Sequence, residues 1–299
     1  MFPQAHTDDN AQARMPGNSA QIVTRFAPSP SGYLHLGHAH AALFAWRAAR
    51  AAGGRFLLRM EDIDGPRCTP AFASAIEEDL TWLGLNWDGP ILYQSQRMTS
   101  YATALDKLRV LDLLYPCFCT RTEIRAEIAR AASAPHGPGG PLYPGTCRAL
   151  SADERERRIA EGQSYALRLD MQGAVARTGP LTWTDRAKGT IAAQPAMHGD
   201  VVLARKETAT SYHLAVTLDD AEQGVTLVTR GEDLFEMTHV HRLLQALFDL
   251  PVPEWHHHGL LMDPQGERLA KRNDALSLHA LRAAGQTPQQ VRAAAGFPD

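Results

Sequence analysis

The chain has 299 residues, 44% of them hydrophobic and 21% charged, with a formal net charge of -3. That is an ordinary globular composition for one large or two modest domains, and its global charge does not attract nucleic acid, so an RNA partner needs a local basic face. No apolar run approaches the roughly 18 residues that span a bilayer, and the polar start MFPQAHTDDNAQARMPGNSA lacks the apolar core of a secretory signal.

Residues 1–20 read as a poorly ordered arm. The apolar run 22–26 (IVTRF) reads as a strand, APSPSGYLHLG as a loop, and the alanine-rich 36–52 as a helix stopped by Gly53 and Gly54. Residues 55–60 (RFLLRM) read as a second buried strand, which makes a βαβ unit of a parallel sheet. Helices are predicted at 70–84 and 97–114. Composition changes after Pro116: residues 131–147 are dense in glycine and proline, and 151–161 read as a capped, charged helix. Strands return at 164–169, 200–205 and 225–229, and a helix is predicted over 236–250. The simplest architecture is an α/β nucleotide-binding core in two halves, 21–115 and 196–260. An insertion over 116–195 separates the halves, and 261–299 carry a basic loop and short helices.

Two segments point to phosphate chemistry. His35-Leu36-Gly37-His38 lies between a strand-loop and a helix. Gly37 allows close backbone approach, a helix N-terminus offers unpaired N–H groups to a phosphate, and histidines three apart share a face of the first turn. His35 and His38 can both donate to phosphoryl oxygens as charge develops; the plainer reading is two polar residues at a helix start. Far downstream, Glu267 to Asn273 (ERLAKRN) carries Lys271, suited to neutralise a leaving pyrophosphate; alone it reads equally as a solvated basic loop.

Cys117-Phe118-Cys119 and Cys147, returned by the Gly/Pro-rich stretch, supply three corners of a tetrahedron, which suits zinc in a reducing cytosol. The spacing leaves the fourth ligand open, His136 being a conventional choice. His256-His257-His258 cannot all converge if they lie on a strand, where alternate residues face opposite ways. Asp219-Asp220 either lines the cleft or caps a turn.

Together these segments resemble the class I aminoacyl-tRNA synthetases. His35-Leu36-Gly37-His38 is similar to their first signature, and Arg268 to Arg272 stands in place of their lysine-serine-lysine loop, with Ala270 where serine is usual. RFAPSPSGYLHLGHAH, LLRMEDID and LVTRGEDL resemble the glutamyl and glutaminyl branch. The resemblance implies a Rossmann-like catalytic core that forms an aminoacyl-adenylate from ATP, with magnesium on the ATP phosphates. It implies ATP contacts from His35, Gly37, His38 and Lys271, of which His35, His38 and Lys271 are catalytic. It implies an L-glutamate pocket from Arg25, Phe26, Ala27, Pro28, Ser29, Glu61, Tyr212 and Arg230. It also implies a structural zinc on Cys117, Cys119, Tyr143 and Cys147.

Full-length members carry a C-terminal anticodon-binding domain. Here the chain ends at Asp299, a shorter stretch beyond Asn273 than the roughly 50 residues of a small domain. The chain therefore resembles the truncated glutamyl-Q tRNA(Asp) synthetase family. That implies tRNA-independent glutamate activation, transfer to queuosine at the wobble position of tRNA(Asp), and a cytoplasmic location with no membrane partner. A monomer is the default expectation. The alternatives are a core-only synthetase charging a tRNA 3′ end and an inactive RNA-binding paralogue. Arg121, Arg125, Arg148, Arg155, Arg157 and Arg158 can contact RNA phosphates, although interleaved glutamates also make them an ordinary solvated face.

Overall fold

The computed structural model describes residues 21–130, 136–137, 140–262 and 277–298. The expected arm at 1–20 and the whole 267–273 segment, Lys271 included, lie outside the described residues. The expected βαβ unit is present: β1 (Val23–Phe26), α1 (Leu36–Ala51) and β2 (Arg55–Met60), with β1 and β2 parallel and Arg25 opposite Leu57. Helix α2 (Pro70–Trp82) follows, and the two-residue β3 (Leu92–Tyr93) extends the parallel sheet beside β2. Thr69 caps α2 and Pro70 begins it, an ordinary helix start.

Helix α3 (Met98–Val110) leads to β4 (Leu114–Cys117), α4 (Arg121–Arg130) and a small hairpin of β5 (His136–Gly137) and β6 (Gly140–Pro141). Then come α5 (Ala152–Ala160), β7 (Ala166–Leu169), α6 (Met171–Thr178), the antiparallel pair β8 (Thr182–Asp185) and β9 (Gly189–Ala192), and β10 (Val202–Ala204). The chain ends with α7 (Tyr212–Glu222), β11 (Leu227–Gly231), α8 (Thr238–Phe248), β12 (Glu254–His258), α9 (Leu278–Ala283) and α10 (Pro288–Ala294).

Strands β11, β12 and β8 are parallel neighbours, with β9 on the edge. This sheet meets β1 side by side: Thr226 N–H donates to Val23 O at 3.0 Å. The α/β core with a parallel sheet is as the sequence implies. The sheets interleave the spans drawn from composition. Strand β8, inside 116–195, joins the parallel sheet, while β10, beyond 195, pairs with β7 in an antiparallel sheet that also contains β4.

Period-two alternation explains how this sheet builds a site. On one face Val23, Leu57, Val228, Trp255 and Trp183 pack as one apolar cluster. Two residues further along the same five strands stand Arg25, Arg59, Arg230, His257 and Asp185, all buried. The face is thus apolar along its middle and polar at the carboxyl ends of its strands, where α/β sheets bind ligands. The opposite face of β1 and β2 (Phe26, Phe56, Leu58, Met60) packs on α1 and α2. The C-terminal helices close that core through Leu278, Val291 and Ala295.

Candidate active site

Helix α1 opens with an unusual cap. His35 Nδ1 accepts from Gly37 N–H at 3.1 Å, and His38 Nδ1 accepts from His35 N–H at 3.3 Å, a reciprocal box built from two imidazoles. Their rings stack at 3.8 Å. Because both Nδ1 atoms accept, the ring protons of the neutral histidines sit on Nε2, as donors. His35 also pairs with Ser277 through the backbone, and Leu278 N–H donates to Leu34 O at 2.7 Å. The chain that leaves the second basic segment is therefore fastened beside the first.

The expected pocket residues converge. Tyr212 lies within electrostatic reach of Arg230, Glu61 and Arg25, and Arg25 in turn within reach of Glu61 and Arg230. Phe26 is buried at the end of β1, and Ala27, Pro28 and Ser29 continue from it. Pro28 O accepts from Glu61 N–H at 2.9 Å, which ties this loop to the end of β2. Burial raises the Glu61 carboxyl above its ordinary range, with Arg59 and Arg25 acting against the rise.

The two halves of the polar row are built differently. Arg25 donates to both oxygens of Asp220, at 2.9 and 3.3 Å, and to Thr229 O at 3.1 Å. Arg59 donates to the same Asp220 Oδ1 at 2.8 Å and to Gln223 at 3.0 Å. Asp220 thus serves two guanidiniums, and Arg25 and Arg59 hold its carboxyl below the usual range despite burial. Asp219, its neighbour on α7, binds Gln94, Arg97 and Tyr101 instead.

Arg230 has no such partner. Among the described residues its hydrogen bonds run from Nε to His257 Nε2 (3.2 Å), from Nη1 to Tyr212 Oη (3.3 Å) and His241 Nδ1 (3.2 Å), and from Nη2 to Thr238 Oγ1 (2.6 Å). All four acceptors are neutral. Burial, with Arg25 nearby, pushes this guanidinium below the usual arginine value. Arginine has five N–H donors, so one Nη2 hydrogen and the Tyr212 hydroxyl proton remain for a ligand.

Sequence reasoning named Arg25, Glu61, Tyr212 and Arg230, and left Asp219-Asp220 between two roles. It did not place Arg59, Asp185, Thr238, His241 or His257. Alternation on β12 was the available signal: His256 contacts Phe44 and His258 contacts His40, while His257 turns the other way toward Asp185.

Known proteins resemble the chain in sequence and in fold. A family model described as tRNA synthetases class I (E and Q), catalytic domain, matches residues 21–295. The chain belongs to this class I synthetase family. It is accordingly an ATP-dependent ligase of the glutamate and glutamine branch. A relative from Rhodobacter capsulatus, named glutamyl-Q tRNA(Asp) synthetase, is 50% identical over 92% of this chain and 100% of its own length. One of the same name from Symbiobacterium thermophilum is 45% identical over 90% of this chain and 84% of its own. A glutamate tRNA ligase from Elizabethkingia meningosepticum, solved with its amino acid, superposes with a TM-score of 0.72 at 30% identity. That likeness covers 86% of this chain and 53% of the ligase, so the chain spans about half of that longer enzyme. No described helix of the synthetase is long and apolar enough to cross a membrane.

Away from the pocket, the Sγ atoms of Cys117, Cys119 and Cys147 lie within 4.8 Å of one another. Cys119 and Cys147 are 3.4 Å apart, and Tyr143 Oη stands 3.5 Å from Cys117 and 3.8 Å from Cys119. A tetrahedral zinc with Zn–S near ~2.3 Å has edges of about 3.8 Å between its ligands, so this donor set fits a metal. The Cys117 thiol, hydrogen-bonded to Cys147 and buried, is raised; the same bond lowers Cys147. The Arg168 guanidinium lies 3.8 Å from the Tyr143 ring centroid, a cation–π contact, and acts against the rise at Cys117.

Proposed function

We propose that the synthetase activates L-glutamate with ATP, without tRNA, and transfers it to queuosine at the wobble position of tRNA(Asp). The observation that carries the amino-acid half is Arg230: a buried guanidinium among neutral acceptors, beside Tyr212. A glutamate side-chain carboxylate supplies the missing anion, and Glu61 is placed for the substrate ammonium. Glutamine, lacking that charge, leaves Arg230 buried without a counter-ion and is rejected. Arg25, which shares Asp220 with Arg59, keeps the cleft wall in shape and offers its remaining donor edge to the substrate. The Phe26–Ser29 segment lines the same end of the cleft.

The substrate α-carboxylate attacks the α-phosphorus of ATP, and pyrophosphate leaves. His35 and His38 donate through Nε2–H to the phosphoryl oxygens as charge grows on them, with Gly37 giving backbone room. Lys271 neutralises the departing pyrophosphate. Magnesium enters with the ATP phosphates. The protein's work is positioning and electrostatic stabilisation. A hydroxyl of the queuosine cyclopentenediol then attacks the mixed anhydride, forming an ester and releasing AMP. The relatives' names and the match over the full length of the R. capsulatus protein support this acceptor. Cys117, Cys119, Tyr143 and Cys147 hold a structural zinc that pins the region around β4.

The test is glutamate-dependent ATP–pyrophosphate exchange with no tRNA, followed by transfer to tRNA(Asp) with and without queuosine. Exchange with glutamate but not glutamine, and transfer only to the queuosine-bearing RNA, is the expected result. Exchange that appears only when tRNA is added, with transfer to the terminal adenosine, refutes the proposal in favour of a 3′-charging enzyme.

A further inference from the structure

We infer that Asp185 and His257 form a positioning pair for Arg230, fixing the direction in which its charge is presented to the substrate carboxylate. The inference rests on the assignment of Arg230 to that carboxylate. The three residues come from adjacent positions of the polar row: β11 and β12 place Arg230 opposite His257, and β12 and β8 run in parallel. His257 Nδ1 lies 2.7 Å from Asp185 Oδ2, and both side chains are fully buried. Asp185 accepts in addition from His257 N–H at 3.1 Å, and its Oδ1 accepts from Ala187 and Lys188 N–H at 2.8 and 3.1 Å. Four N–H groups therefore hold the carboxylate as an acceptor, and with it the proton on His257 Nδ1. Nε2 is then a lone-pair acceptor facing Arg230 Nε–H, with the Thr238 hydroxyl also 3.3 Å away.

The tautomer is what matters here. With the proton on Nε2, two N–H groups would oppose each other in a dry site, and the guanidinium plane would have to turn. Asp185 does for His257 what a carboxylate does for a histidine in other polar relays, setting which nitrogen carries the proton. His241 completes the cage: it accepts from Arg230 at Nδ1, and its Nε2 lies 3.2 Å from His213 Nδ1. The outcome is a guanidinium oriented by acceptors that do not cancel its charge. Direct pairing of Arg230 with a carboxylate would orient it equally well and remove its use for substrate.

The experiment compares His257→Gln, which keeps an acceptor near Nε2 and a donor toward Asp185, with His257→Phe, which keeps the ring shape and removes both. Thr238→Val serves as a second probe of the acceptor cage. Each is measured in ATP–pyrophosphate exchange with glutamate and glutamine, alongside thermal melting. His257→Phe is expected to raise the glutamate KM about tenfold to a hundredfold and narrow the glutamate-over-glutamine preference, with the ATP KM within about twofold. His257→Gln should recover most of the loss. Equal damage in Phe and Gln variants, or a folded Phe variant with unchanged glutamate KM and preference, overturns the inference. If the Phe variant does not fold, the inference is overturned when Thr238→Val keeps the wild-type glutamate KM and preference, or when His257→Gln is impaired more than Thr238→Val. Failure of the wild type to exchange with glutamate instead refutes the assignment on which the inference rests.

Discussion

Arg25 and Arg230 stand at equivalent places on neighbouring strands, equally buried, at 5% and 6% exposure, and are treated in opposite ways. On the β1–β2 side, one carboxylate, Asp220, is shared by two guanidiniums and ties that wall together. On the β11–β12 side the charge of Arg230 is held by hydroxyls and imidazoles and left for a ligand. Burial of an arginine is therefore no guide to its role; the chemistry of its acceptors is. A carboxylate partner gives an arginine a structural task before any ligand arrives, and a set of neutral acceptors leaves its charge for recognition.

The contrast can be broken by experiment. Arg230→Met is expected to lower kcat/KM for glutamate exchange by about a thousandfold or more without lowering the melting temperature, since it removes a charge that folding leaves uncompensated. A loss of stability like that of an Asp220 variant would break the distinction. Asp220→Asn leaves two buried guanidiniums without their anion and is expected to cost about 3–5 kcal/mol in denaturant unfolding. A neutral result there would mean that the Arg25–Asp220–Arg59 unit is not structural.

The smallest effect concerns a buried carboxylate whose cation stands at the edge of ion-pair distance. Among the described residues, neither oxygen of Asp79 on α2 is hydrogen-bonded, Arg282 stands 3.9 Å away, and burial pushes its carboxyl up to about 6. A folded-state value above the unfolded one means that the folded chain binds the proton more tightly. This contribution is present below about pH 4 and is lost as pH rises through about 6. Asp79→Asn should stabilise the protein at pH 7.5 by about 1–2 kcal/mol, a gain that vanishes near pH 4. Melting curves at the two pH values decide it.

Much of this was readable in the residues. The first βαβ unit follows from IVTRF, the alanine-rich helix and RFLLRM, and the observed boundaries fall within a residue of those expected. Arg25, Glu61, Tyr212 and Arg230 were legible through resemblance and do converge. What stayed hidden depended on pairing between distant strands. That Trp183-x-Asp185 and Trp255-x-His257 repeat one apolar-then-polar pattern becomes visible only once β8 and β12 lie side by side. Composition placed β8 in the insertion, because a four-residue strand flanked by glycine and charge carries no mark of the sheet it will join. The double duty of Asp220 was equally illegible, since Asp219 and Asp220 are chemically identical until α7 turns them to different partners.

The bridge between His35 and Ser277, with Leu278 buried in the core beneath α1, bears on the order in which this enzyme comes into being. A contact between residues so far apart in sequence forms late in folding, because its loop-closure entropy is recovered only when the intervening chain is organised. On the ribosome the nucleotide-binding end of α1 is made well before its supporting helices α9 and α10. A nascent chain, or one cut before Ser277, holds both histidines of the cap without the backbone that anchors them. Anchoring of the histidine cap is thereby tied to synthesis of the chain through α9 and α10.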